Sequence, residues 1–296
     1  MNLLLESLKA LLFGIVEGVT EWLPISSTGH LILLNEWLPF RFTDDATLAA
    51  EFWEMFEVVI QLGAILAVVI LFWRRLWPFG SRKTPDEKKQ TWMLWLKVVI
   101  GCIPAGLAGV IGDKILEKAT GRSIDGWLYN AYVVAVALIV YGVAFILIEK
   151  LRKPGSERIH SIGEMSCRTA LLIGLFQMLS IIPGTSRSGS TILGAMLLGL
   201  SRTAAAEFSF FMAVPVMVGA SGIKLLGFAS YLSGSGISLP GEAWGILAVG
   251  CVVSFAVSMV AIRFLMDFVK RHSFSAFGYY RIALGALVLL YFGLVK

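Results

Sequence analysis

The sequence predicts an all-α polytopic membrane protein, with about six transmembrane helices plus two re-entrant helical hairpins arranged as an inverted-topology repeat. Three observations carry that expectation. Of the 296 residues, 57% are hydrophobic and only 15% are charged, with a mean hydropathy of +0.80, whereas a soluble domain is roughly 25% charged. Six apolar runs stand out against the length, about 20 residues at 1.5 Å each, that a helix needs to cross roughly 30 Å of hydrocarbon. Two further apolar stretches are each interrupted midway by a Pro/Ser/Thr/Gly cluster. Together these exclude a disordered chain, a basic nucleic-acid-binding domain and an ordinary cytosolic enzyme.

The six runs cover about 52–73, 92–112, 127–149, 205–229, 243–266 and 281–295. The formal charge of +5 is not spread evenly. Segment 74–91 holds Arg74, Arg75, Arg82, Lys83, Lys88 and Lys89, segment 150–166 holds Lys150, Arg152, Lys153 and Arg158, and segment 267–280 holds Lys270 and Arg271. Segments 39–51 and 230–242 hold Arg41 alone. Cytoplasmic loops carry the excess of Lys and Arg, so the first three are expected inside, with 39–51 and both termini outside. Loop 113–126 is balanced in charge and falls outside by alternation. Cys102, Cys167 and Cys251 each sit in an apolar run without metal-ligand spacing, and are expected to be buried apolar side chains. The first 18 residues carry Glu6 and Lys9 before their apolar run, without a basic leader or an A-x-A site. They read as retained.

Residues 8–38 are broken by Trp22-Leu23-Pro24 and a Ser-Ser-Thr-Gly cluster, and residues 167–200 by Pro183-Gly184 and a second cluster. Each reads as helix, break, helix. For the basic loops to share one side, both stretches must return to the side they entered from, the first from outside and the second from the cytoplasm. Non-helical backbone at membrane depth survives only where protein or water surrounds it, so the breaks are the natural site candidates. EWLPISSTG (21–29) lies over SIIPGTSRS (180–188) with Pro24 on Pro183, and Glu57 falls on Glu207 downstream. Each half is one broken hairpin and three spans. Three is odd, so the second copy is inverted, the arrangement of transporter-like folds. The expectation is one membrane domain over 1–296, with repeats of about 1–150 and 160–296.

In the first break Glu17 and Glu21 stand four residues apart, about 40° around a helix. Two carboxylates on one face repel, and a divalent cation bridging to phosphate oxygens would relieve them; hydration near the membrane interface would do so too. Ser26, Ser27, Thr28 and His30 follow. His160 and His272 fall in basic loops and read as solvated, whereas His30 is either a satisfied buried group or, beside carboxylates and hydroxyls, a proton-transfer group. In the second break Arg187 stands among Ser186, Ser188, Ser190 and Thr191, where a guanidinium fork, hydroxyls and helix N-terminal amides converge on an oxyanion such as phosphate. An arginine paired with a helix C-terminus would explain the charge but not the hydroxyls. Glu54 is expected at the interface, and Glu57 and Glu207 to buttress the site or pair with basic groups.

These residues resemble the bacterial undecaprenyl-diphosphate phosphatase family, also called bacitracin-resistance proteins. EGVTE (17–21) with PISSTGH (24–30), and PGTSRSGST (183–191), match its two signatures. FEVVIQLGAILAVV (56–69), FWRRL (72–76) and AAAEFSFFMAVPVM (204–217) extend the likeness over essentially the whole chain. The resemblance implies hydrolysis of the terminal phosphate of a C55 polyprenyl diphosphate, regenerating the monophosphate carrier for cell-wall glycans. It also implies a divalent cation, Mg2+ or Ca2+, a place in the bacterial inner membrane, and a reaction centre reached from the outer face. The expected partners are the polyprenyl diphosphate and membrane lipid, not nucleic acid, with self-association left open. On this reading Glu17 and Glu21 hold the cation, and Ser26, Thr28, Ser186, Arg187, Ser188 and Thr191 bind substrate. Ser27 is the nucleophile, with His30 moving its proton, and Glu21 and Arg187 complete the catalytic set; a cation-activated water fits the same residues. A transporter or flippase of a phosphorylated lipid or small anion would use the same repeat and arginine pocket, but would not need carboxylates and a histidine around a serine.

Overall fold

The computed structural model describes residues 3–153 and 155–294, the side chains of Asp113 and Asp125 excepted. Its regular elements are helices, joined by one isolated bridge between Ile159 and Leu200. Each broken stretch is two helices, α1 (Leu3–Thr20) then α2 (Ser27–Trp37), and α6 (Cys167–Met178) then α7 (Arg187–Leu197). Among the described residues, six helices are long and apolar enough to cross a membrane: α3 (Ala46–Leu71), α4 (Pro85–Thr120), α5 (Ala131–Leu151), α8 (Arg202–Ser235), α9 (Gly241–Arg271) and α10 (Ser275–Leu294). The protein is a multi-span membrane protein.

Helix starts follow local capping chemistry. Asp45 accepts from the Thr47 and Leu48 amides ahead of α3, and Asn130 from Val133 ahead of α5. Thr84 and Glu87 form a reciprocal capping box with Pro85 in the first turn of α4. The helices run beyond their apolar runs because such caps lie outside the hydrocarbon-length segment that hydropathy detects. The span expected at 92–112 continues through a π-helical turn at Ala108–Gly112 to Thr120, after Pro104 has removed one ladder donor. Much of the expected loop 113–126 is therefore helical. The run expected at 281–295 starts earlier, at Ser275, which places Arg281 inside the helix. The cysteines are half-buried, not buried, and Cys102 and Cys251 turn their thiols to the Met212 and Val59 carbonyls.

Packing is reciprocal between the halves: α1 lies on α9 and α6 on α4, α3 meets α9 and α4 meets α8, and α5 pairs with α10. Glu149 joins three elements at the basic end, accepting from Arg202 at 2.6 and 2.9 Å and from the Phe274 amide at 2.9 Å. In the two flanking loops His160 and His272 are exposed, and the Glu164 carboxyl is held below its usual range by the His160 amide and then the Ser161 hydroxyl. At the other end a buried Glu6–Lys9 pair anchors the loop after α2 through Pro39 and Arg41.

The α5–α10 contact is set by two glycines. A Cβ on Gly142 would stand 2.7 Å from the Gly278 carbonyl oxygen, and one on Gly278 the same distance from that of Gly142. Either Gly142→Ala or Gly278→Ala is expected to destabilise the protein by about 1–3 kcal/mol through overpacking. Thermal unfolding in detergent would detect it, and an unchanged midpoint would show that the two helices can part freely.

Candidate active site

Both breaks end in the same device. Ser26 caps α2 at φ 74° and Ser186 caps α7 at φ 70°, the two non-glycine residues with positive φ among those described. Each hydroxyl accepts from a glycine amide three residues on, Gly29 at 3.3 Å and Gly189 at 3.1 Å. The left-handed region is unfavourable for a residue with a Cβ, and such positions persist where the surroundings hold them. By this capping geometry Ser26 corresponds to Ser186, one residue away from the alignment that sets Pro24 on Pro183. The second break is one residue longer between proline and cap. Gly184 takes up the extra residue at φ 88°, with Val134 packed where a Cβ would stand.

The matched register sets Ser27 and Arg187 as the first residues of α2 and α7, and they meet on Glu21. Ser27 Oγ donates to Glu21 Oε2 at 2.6 Å, and Arg187 Nη2 donates to Glu21 Oε1 at 3.1 Å. Ser188 donates to the Glu21 carbonyl at 3.0 Å, and Arg187 Nη1 to the Ser209 carbonyl of α8 at 2.9 Å. The N-termini of two helices, each carrying partial positive charge, therefore converge on one carboxylate. Trp22, fully buried and edge-on to Phe210, seats that turn.

Glu17 is fully buried, and neither of its carboxylate oxygens has a hydrogen-bond partner among the described residues. It feels the charges of Glu21, Glu57 and Arg187. Thr185 Oγ1 and Arg187 Nε are also buried and unpartnered. Acceptors and donors left over in this way suit a ligand carrying both a cation and phosphate oxygens. Among the described residues there is no cluster of three or more His, Cys, Asp or Glu side chains able to hold a metal by itself. Glu17 and Glu21 are the carboxylates that could hold one, with the remaining oxygens coming from phosphate or water.

Other expected residues lie differently. His30 does not reach Ser27: Nδ1 donates to the Ser26 carbonyl at 2.7 Å, which leaves Nε2 to accept from the Tyr280 hydroxyl at 2.6 Å. One turn of α2 separates it from the serine and points it toward α10. Thr191 is buried against Ser209 of α8 at 2.7 Å and also bonds the Arg187 carbonyl. Ser190 bonds the Phe176 carbonyl, and Ser186 pairs with Ser188 at 3.2 Å. Thr28 is half-buried beside Ser27. Glu207 pairs with Arg75, Glu57 accepts from Tyr129, and Glu54 pairs with Lys224 at an exposed position.

The residue that sequence reasoning missed is Arg281. Fully buried in α10, it donates from Nη1 to the Pro24 carbonyl at 3.0 Å, and from Nη2 to the Gly184 and Thr185 carbonyls at 2.8 and 2.9 Å. It stacks over Tyr141 at 5.5 Å. One guanidinium thus joins the backbones of both breaks. The available signal was an arginine inside apolar sequence, which is unusual in a membrane span. Arg281→Leu should leave three buried carbonyls without this donor and destabilise the protein by roughly 3–5 kcal/mol. Arg281→Lys, which keeps charge without the fork, should recover only part of that. Denaturant unfolding in micelles checks the order, and full recovery by lysine would refute the fork.

Residues 10–287 match the family model described as bacitracin resistance protein BacA. An undecaprenyl-diphosphatase of Desulfitobacterium hafniense is 48% identical over 98% of this chain and 97% of its own. Undecaprenyl-diphosphatase 1 of Clostridioides difficile is 50% identical over 99% of this chain and 98% of its own. An undecaprenyl-diphosphatase of Acetivibrio thermocellus is 50% identical over 99% of this chain and 100% of its own. With matches of that extent spanning both breaks and all six long helices, the chain belongs to the bacitracin resistance protein BacA family.

Proposed function

We propose that this protein is an integral membrane phosphatase that hydrolyses undecaprenyl diphosphate to undecaprenyl phosphate and inorganic phosphate, recycling the lipid carrier for cell-wall glycan synthesis. The observation that carries the reading is the Ser27–Glu21–Arg187 contact, a hydroxyl on a carboxylate on a guanidinium at the meeting of two helix N-termini. The names of the relatives point to the same substrate. A transporter would use an anion site but has no need of a serine already donating to a buried carboxylate.

In this reading Glu21 takes the Ser27 proton as Oγ attacks the terminal phosphorus. The bond to the bridging oxygen breaks, undecaprenyl phosphate leaves, and water then releases phosphate from the phosphoserine and regenerates the hydroxyl. Arg187, with its free Nε, stabilises the charge on the transferring phosphoryl group. Ser26 holds the cap that aims Ser27, and Ser188 fixes the Glu21 backbone. His30 orients the start of α2 through Ser26 and Tyr280. Glu17 and Glu21 would hold Mg2+ or Ca2+, which when bound neutralises diphosphate oxygens. A cavity of about 390 Å3, lined by Tyr132, Val136, Val140, Tyr141, Ile182 and Thr185, reaches from exposed apolar side chains to the second break. It supports seating of the isoprenoid next to the diphosphate. The reciprocal packing and the matched caps support inverted repeats with re-entrant hairpins, and the loop charges support an inner-membrane enzyme whose centre is open to the outer side.

Ser27→Ala and Glu21→Gln should each lower phosphate release by about a thousandfold or more, and the double variant should lose little further because the two act as one unit. Thr28→Ala and Ser26→Ala should impair turnover less. Acid-quenched parent protein should carry a phosphoryl group on the Ser27 peptide by mass spectrometry; substantial release by Ser27→Ala would move the attack to water.

Arg187→Lys should lose most activity while still inserting and folding, since the planar fork is gone. Chelation should stop release, and Glu17→Gln should raise the cation concentration needed to restore it. A Glu17→Gln protein with an unchanged cation response would remove Glu17 from the ligand set.

A further inference from the structure

Away from the two breaks lies a second polar centre, where the short helix Trp73–Leu76 and the loop at 162–163 face α4. A cavity of about 290 Å3 is lined there by Arg74, Arg75, Lys83 and Lys97, with Glu87 as the acid on its wall. Glu87, which accepts the Thr84 amide at 2.7 Å as the α4 cap, adds one negative charge beside Lys83, and Arg75 is paired with Glu207. Arg74, Lys83 and Lys97 make no ion pair among the described residues. Lys97 is 5% exposed, and its ammonium donates to the Ile162 and Gly163 carbonyls at 2.9 and 3.1 Å, which orient it without neutralising it. Lys83 donates to Thr91 at 2.7 Å, likewise a neutral partner. A buried ammonium such as that of Lys97 is unfavourable without an ion-pair partner, and Arg74, Lys83 and Lys97 against the single Glu87 carboxylate leave the cavity net positive. An anion would relieve both. A guanidinium fork with two ammonium groups is the donor set of a phosphate site.

A second cavity of about 440 Å3 shares Arg74, Lys83 and Glu87 with the first and continues past Trp73, Trp77 and Arg82. Trp73 and Trp77 stack at 4.8 Å, and both are exposed, as is Trp92 on α4. Exposed tryptophans mark the depth of lipid headgroups, and basic pockets between spans at that depth bind anionic headgroups. We propose that the two cavities form one site for a phosphate-bearing anion, supplied by an anionic phospholipid of the leaflet facing segment 74–91. The site is separate from the Ser27 centre and gives the FWRRL segment a role.

The test uses the full chain in mild detergent with phosphatidylglycerol, phosphatidylcholine or inorganic phosphate as probes. Native mass spectrometry should show one phosphatidylglycerol retained in preference to phosphatidylcholine, and phosphatidylglycerol should raise the unfolding temperature. Arg74→Gln with Lys83→Gln should weaken that retention roughly thirtyfold. An unfolding midpoint equal to the parent's in phosphatidylcholine would show that the double variant folds; if it does not, Arg74→Gln alone is read, with roughly a fivefold loss expected. Equal retention of the two lipids by the parent, or undiminished retention by the variants, would overturn the site. Stabilisation by inorganic phosphate equal to that by phosphatidylglycerol, with displacement of the lipid, would overturn the lipid source and leave a free-anion site.

Discussion

A single guanidinium, that of Arg281, allows two stretches of non-helical backbone to meet inside the protein. Broken helices expose carbonyls that water cannot reach, and such groups must find partners within the protein. Arg281 supplies them to Pro24, Gly184 and Thr185 together. Its own seat depends on close approach of α5 and α10, where Gly142 and Gly278 admit each other's backbone. The break geometry thus rests on a contact between two spans that contribute no residue to the Ser27–Glu21–Arg187 group.

Given that junction, the electrostatics of the centre follow. Glu21 is nearly inaccessible, yet its two oxygens are divided between a hydroxyl and a guanidinium, so the carboxylate is satisfied by groups from both breaks. Glu17, one helical turn earlier, is not. The asymmetry distinguishes them: Glu21 is already engaged by Ser27 and Arg187, while both Glu17 oxygens remain open to accept. Ser26 and Ser186 hold unfavourable backbone angles because each side chain also caps its helix, which aims the next residue, Ser27 or Arg187, at the shared carboxylate.

Helix α8 connects the two polar centres of the molecule. Its Glu207 pairs with Arg75 on the rim of the cationic cavity, and two residues on, the Ser209 carbonyl takes a hydrogen bond from Arg187. The fully buried run Phe208–Ala213 holds that segment in the core, so both contacts depend on one rigid stretch of helix.

By itself the sequence determined the class, the six long helices and the position of both breaks, because hydropathy, proline and loop charge are local signals read directly from residue order. It also marked Glu21, Ser27 and Arg187, since charged and hydroxyl-bearing residues stand out in apolar sequence. Which of them touch was decided by tertiary structure. Aligning the prolines sets Ser26 on Thr185, whereas the capping geometry pairs it with Ser186, a difference of one residue at Gly184 that shows only in the backbone angles. His30 was expected to move the Ser27 proton, but α2 turns its ring to Tyr280, and the carboxylate that Ser27 meets is Glu21, across the turn. Arg281 stayed hidden because its partners are backbone carbonyls about 100 and 250 residues away, and contacts at such separation have no periodicity or motif to reveal them; only folding brings them together.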